Sequence, residues 1–139
     1  MRIALDAPNL VFLTVCTHGR RPWLAQPAAR AGLEAVWREA DTWLVGHYLL
    51  MPDHLHLFCA PHDLRFTLER WVSYWKSRFR RRHLTEAWEW QRDFWDTRLR
   101  QEVSYEAKWR YVQENPVRAG LVTRPDDWPH QGTLNVLRW

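Results

Sequence analysis

The segment WLVGHYLLMPDHLHLFCA, Trp43 to Ala60, constrains the fold more than any other stretch of the chain. Two runs rich in apolar and aromatic residues, Trp43 to Leu50 and His54 to Ala60, are separated only by Met51-Pro52-Asp53. So short a connection joins antiparallel strands, because parallel neighbours need a crossover of a dozen or more residues. A hairpin is therefore expected, and the remaining elements must build a sheet around it. Before it, Asn9 to Thr17 (NLVFLTVCT), closed by His18-Gly19, reads as another strand. Pro27 opens a helix expected from Ala28 to Ala40, in which Leu33, Val36 and Trp37 recur at helical spacing.

After Pro61 the period changes. Leu64, Leu68, Trp71, Val72, Trp75 and Phe79 fall on one helical stripe, and the opposite face carries arginines. Glu89 to Arg100 reads as a loop leading into a short edge strand. Ser104 is placed to cap a helix from Tyr105 to about Glu114, ended by Asn115-Pro116, and a helical turn or loop follows. This order, βαββα with a further strand, predicts an α+β protein with a ferredoxin-like (βαββαβ) antiparallel sheet. Both helices would lie on one face and leave the other open, with a C-terminal helix carrying Tyr111. A length of 139 residues suits a single domain over 1–139 with one core.

Composition narrows the function. With only Cys16 and Cys59, a disulfide scaffold and a CxxC zinc knuckle are excluded, and two thiols suit a reducing cytosol. No apolar run approaches the roughly 20 residues of a membrane span, and the N-terminus lacks a secretory signal, so no membrane partner and an intracellular, cytoplasmic location are expected. Eleven tryptophans accompany a pI near 9.5. Most of those rings are expected to fill the core. The charge is more informative: Arg65, Arg70, Lys76, Arg78, Arg80, Arg81 and Arg82 face one acid, Glu69, within eighteen residues, while the whole chain carries only +4. Positive charge is thus concentrated on one element, the footprint of a phosphate-binding face.

Two patterns bear on chemistry. Side chains alternate along a strand, so His54 and His56 project together from one face, with Leu55, Leu57 and Cys59 on the other. The pair can bind one divalent ion or simply be two polar groups on a solvated face. Downstream, Tyr111 and Asn115 are four apart, one turn from each other if the helix persists. A reactive tyrosine needs a metal or base, since its pKa is ordinarily near 10. Otherwise Tyr111 packs its ring and Asn115 caps the helix.

Leu50-Met51-Pro52-Asp53-His54-Leu55-His56-Leu57 closely resembles the MPNHxHL segment of the REP-associated tyrosine transposases, relatives of the single-tyrosine HUH transposases of the smallest bacterial insertion sequences. Tyr111 to Leu121 (YVQENPVRAGL) resembles their YIxxNPVRAGL segment. Thr17 to Pro22, Trp90-Gln91 with Phe94 and Asp96 before Leu99-Arg100, and Asp127-Trp128-Pro129 agree as well, so the resemblance spans roughly residues 10 to 130. It implies that His54, His56 and Asn115 bind Mg2+ or Mn2+. It further implies that Tyr111 is the nucleophile of a single-stranded DNA endonuclease and strand transferase acting at hairpin DNA through a 5′-phosphotyrosine, as monomer or homodimer. The arginines of the second helix, with Arg118, would hold DNA phosphates; for Arg118 and Arg124 solvated surface charge is an equal alternative. Asp53 replaces the usual Asn of the turn, with little effect expected. Thr97 stands where many members have His, and a C-terminal stretch shorter than in many members implies weaker hairpin recognition. Two other readings are a non-catalytic ferredoxin-like hairpin-binding module and, more weakly, an RNA-binding sheet of RRM type, whose third strand should carry stacking aromatics rather than two histidines.

Overall fold

Alternation along β1 (Val11–Thr17) and β3 (His54–Pro61) sends odd-numbered residues to one face of the sheet and even-numbered residues to the other. A computed structural model describes residues 10–99 and 102–137, with the side chains of 102–104 also outside it. Asn9, Arg100 and the expected Ser104 cap therefore lie outside the described residues. The other elements are α1 (Pro27–Glu39), β2 (Trp43–Leu50), α2 (Leu68–Arg82), β4 (Trp90–Arg98), α3 (Glu102–Gln113), the single helical turn α4 (Asn115–Arg118) and β5 (Gln131–Thr133). The strands form one sheet in the order β4-β1-β3-β2-β5, and every pairing is antiparallel. The first four strands thus have the ferredoxin-like arrangement, and β5 extends it beyond β2.

On the odd face, Leu33, Val36 and Trp37 of α1 and Trp71, Val72, Trp75 and Phe79 of α2 pack over Leu13, Val15, Leu55 and Leu57. The expected stripe of α2 is buried from Leu68 onward. Thr67 caps the helix, its Oγ1 accepting from Arg70 N, so the helix begins at Leu68 and Leu64 stays in the preceding turn, 67% exposed.

The even face departs from expectation: part of it is covered. Tyr105, Trp109 and Val112 of α3, spaced four and three apart, pack on Phe58, Leu49 and Phe12 in a second core. A bulge in β2 makes this possible. The register moves between Val45 and Tyr48, so His47 and Leu49 turn toward α3 while Tyr48 and Leu50 turn toward α1. Gly46 sits in that bulge, and a Cβ there would come within 2.7 Å of the Tyr105 hydroxyl. Two further differences are local. β4 is a full nine-residue strand rather than a short one, because its pairing with β1 extends from Trp90 to Arg98. The tyrosine helix ends at Gln113, since Pro116 lacks the N–H needed to continue it, and Asn115 opens a separate turn.

Candidate active site

The turn before the histidines is fixed from three sides. Met51 N donates to His54 O at 2.8 Å, Thr17 N to Asp53 O at 3.0 Å, and Leu24 N to Pro52 O at 3.0 Å. β3 therefore enters the sheet in a defined register, with His54 opposite Cys16 and His56 opposite Thr14. The two imidazoles share the even face, ring centroids 4.9 Å apart at 78°.

Each ring is held through Nδ1. His54 Nδ1 lies 2.8 Å from Asp53 Oδ1, and His56 Nδ1 lies 2.9 Å from Thr14 Oγ1. Asp53 is itself held by Arg20 Nε at 3.0 Å. Burial opposes ionisation of Asp53, but the His54 hydrogen bond and the Arg20 pair outweigh it, and its carboxyl sits below the ordinary range. Asp53, expected to have little effect beyond the turn, is therefore a charged anchor for an imidazole, not only a turn former. Neither Nε2 has a hydrogen-bond partner among the described residues. An imidazole that donates from Nδ1 and keeps its Nε2 lone pair is the form that binds a metal, and a carboxylate behind it orients the ring.

His56 is also kept neutral. Burial, then the neighbouring His54, Lys108 and Arg118, push it down to about 3. The unfolded chain binds that proton near pH 6.5, whereas the folded one refuses it until about pH 3. The stability His56 contributes is thus complete above pH 6.5 and is lost as pH falls toward 3, at up to about 1.4 kcal/mol per pH unit. Urea titrations at pH 7 and pH 5 should show a larger drop for the native chain than for His56→Gln. Equal drops would exclude a neutral buried imidazole.

Tyr111 lies on the flank of α3, beside the stripe that packs on the sheet. Its ring is 60% exposed, so it is no core residue. Two cations hold it: the Arg118 guanidinium stands 4.2 Å from the ring centroid and Lys108 Nζ 5.4 Å. Lys108 Nζ also lies 4.7 Å from the Phe12 ring centroid, and Phe12 stacks on His56 at 5.2 Å and 19°. The tyrosine is thus linked to the histidine pair through Lys108 and Phe12. Asn115 Oδ1 accepts from Arg118 Nη2 at 2.6 Å, and Arg118 also donates to Tyr111 O at 2.9 Å. Asn115 and Tyr111 are therefore brought together by Arg118 rather than by one continuous helix. Among the described residues no three His, Cys, Asp or Glu side chains form a metal-binding group, so an ion at the imidazole pair would need a carboxamide such as Asn115 or oxygens from a ligand. One lone pair of Asn115 Oδ1 is left by its bond to Arg118; two imidazole nitrogens and one amide oxygen would suit a divalent ion that accepts both nitrogen and oxygen ligands and completes its shell with oxygens of a ligand or water.

Tyr105, the other tyrosine of this helix, is 6% exposed and packs on Phe58 and His47. Burial pushes its hydroxyl up to about 12, which makes it a poor nucleophile.

The basic helix lies elsewhere. α2 packs on the odd face, so Arg70, Arg80 and Arg81 are separated from the histidines by the thickness of the sheet. Several of its cations are engaged: Arg78 and Arg82 both pair with Glu39 of α1, and Lys76 Nζ donates to the backbone carbonyls of Gln91 and Arg92 in β4. Arg65 precedes the helix and pairs with Asp63. Sequence reasoning passed over Lys108, Arg20 and Thr14. The i,i+3 spacing of Lys108 and Tyr111 was the one available signal; the other two are brought in only by strand register and the turn.

Neither a family model nor a curated protein matches this sequence. Its fold is that of a structurally characterised class. It is similar to a REP-associated tyrosine transposase bound to a REP hairpin, with a TM-score of 0.76 and 21% identity over 90% of this chain and 76% of that one. It is also similar to a protein of Deinococcus radiodurans R1 described as a transposase, with a TM-score of 0.53 and 14% identity over 76% of this chain and 88% of that one. The chain has the fold of these proteins.

Proposed function

We propose that the protein is a metal-dependent single-stranded DNA nicking and joining enzyme that acts beside hairpin DNA through a covalent phosphotyrosine at Tyr111. The observation that carries this reading is the exposed Tyr111 ring, gripped by Lys108 and Arg118 and linked through Phe12 to a pre-oriented imidazole pair. The fold shared with a transposase bound to a REP hairpin supports DNA as the partner.

In the proposed step the Tyr111 oxygen forms a bond to the scissile phosphorus as the bond from phosphorus to the 3′ oxygen breaks. The phenolic proton is lost and the departing oxygen gains one. The 5′ phosphate stays on Tyr111, so the ester retains the bond energy and another 3′-OH can reverse the step without ATP. Lys108 and Arg118 bear the charge nearest the tyrosine and would bind the non-bridging oxygens of the phosphate. A divalent ion held by His54, His56 and Asn115 would polarise that phosphate when bound. Because part of the even face is open only as a surface, the substrate would be unpaired at the cut. The arginines of α2, on the far side of the sheet, would hold the hairpin stem and contribute affinity more than sequence choice.

Incubation with Mn2+ and a hairpin bearing a single-stranded flank should give an adduct that survives denaturation and disappears with a chelator. Among the described residues no third His or carboxylate joins the pair, which favours the second reading, a hairpin-binding module without chemistry. Tight hairpin binding with no adduct in either Mg2+ or Mn2+ would establish that reading instead. Asp53→Ala should weaken Mn2+ binding, measured by calorimetry, by about 10- to 100-fold, the usual effect of removing a carboxylate behind a ligating histidine. Asp53→Asn should recover most of it through the amide oxygen. Unchanged affinity in Asp53→Ala would show that Asp53 serves the turn alone.

A further inference from the structure

Trp95 is 54% exposed, whereas the other described tryptophans are buried or half-buried. Its position is set by register. Trp95 pairs with Thr14 across β4 and β1, and Thr14 pairs with His56 across β1 and β3. Residues paired directly across antiparallel strands project from the same face, so the indole and the imidazole stand on one side of the sheet. Two strand spacings, about 10 Å, separate their backbones.

This is the half of the even face that α3 leaves uncovered. Tyr105 and Trp109 pack over His47 and Phe58, on the β2 and β3 side, while Trp95 and Thr97 remain exposed. Positive charge lies at both ends of the surface. At one end are Lys108 and Arg118 beside Tyr111. At the other, beneath the β4 edge, a groove of about 600 Å³ between α2 and β4 is lined by Lys76, Arg80 and Arg92 against Glu69 and Glu89, a local excess of one positive charge. Phe94 turns into that groove and its neighbour Trp95 turns to the opposite face. A strand held at both the groove and Tyr111 would cross β4 onto the face that carries the indole.

We propose that Trp95 is a stacking platform for an unpaired nucleobase of the strand that enters the Tyr111 site. The inference rests on the DNA reading above and adds a binding subsite to it. A flat, amphipathic, exposed ring without a stacking partner among the described residues, on the same face and in register with His56, matches how single strands are held. Such stacking tolerates any base, so Trp95 contributes affinity and alignment rather than sequence choice.

The test is fluorescence anisotropy with the full chain and a chelator present, so that no chemistry intervenes. The probes are a hairpin with a single-stranded flank, the same hairpin with one abasic position in the flank, and a blunt hairpin. Trp95→Ala should bind the flanked hairpin about 5- to 150-fold more weakly than the native chain. Trp95→Phe should retain most of the affinity. One abasic position should weaken the native chain by a similar factor and leave Trp95→Ala unaffected, which a merely structural role would not produce. The blunt hairpin should bind all three chains alike. Equal affinity of the native chain and Trp95→Ala for the flanked hairpin would overturn the subsite and leave the DNA reading standing. So would a loss on the blunt hairpin as large as on the flanked one, or a changed sedimentation profile with DNA affinity intact, which would assign the surface to a protein contact. A native chain that binds none of the three probes would overturn the DNA reading, and the subsite with it.

Discussion

Tyr111→Phe is expected to abolish the denaturation-resistant DNA adduct while leaving hairpin affinity and the unfolding midpoint unchanged. The phenolic oxygen is the atom that forms the new bond to phosphorus, and no other group on the ring can replace it. The ring itself survives the substitution, so the contacts with Arg118 and Lys108 are retained in kind. Because the side chain is exposed, stability should stay within about 0.5 kcal/mol. Tyr105→Phe makes the opposite prediction. Its hydroxyl lies against Gly46 inside the second core, so its loss should cost about 1 kcal/mol and leave the adduct intact. Adduct formation that persists in Tyr111→Phe and is lost in Tyr105→Phe would reverse the assignment.

Trp75→Ala should have the largest effect on stability. Trp75 is completely buried in α2, meeting the rings of Trp37, Trp71 and Trp90 edge to face. Truncation removes those contacts and leaves a cavity between both helices and the sheet, at a cost of about 3–5 kcal/mol. Domains of this size have about 5–15 kcal/mol in total, so much of the margin would vanish. Trp75→Phe should cost far less. The Trp75 indole N–H has no hydrogen-bond partner among the described residues, so the smaller ring gives up volume but no buried hydrogen bond. Urea unfolding curves of the two variants measure the contrast; equal losses would mean that the smaller ring recovers none of the packing of the indole.

The hairpin, α1 and the buried stripe of α2 were legible because each depends on local pattern: a short connection forces antiparallel strands, and a periodic apolar stripe must find a core. The pairing of His54 with His56 was legible for the same reason, since alternation along one strand is a property of the backbone. β4 was read as shorter than it is because an edge strand with exposed polar residues has little apolar signal of its own and is defined by its partner β1. The covering of the even face was missed because the bulge at Gly46, which turns His47 and Leu49 toward α3, shows no periodicity in the sequence. The cluster of basic residues is visible in the sequence, but its distance from the histidines depends on which side of the sheet α2 occupies.

The amino-acid sequence alone determined which residues carry chemical potential and which segments become strands and helices, since those follow from side-chain type and from spacing within a few residues. Only the tertiary structure decided that Asp53 and Thr14 hold the imidazoles and that Lys108 bridges toward Tyr111. It alone decided that Tyr105 is buried and Tyr111 open, and that Trp95 shares a face with His56. Each of these is a contact between residues far apart along the chain or a consequence of strand register, and registers and packing faces are settled when the whole core closes, not by any local stretch.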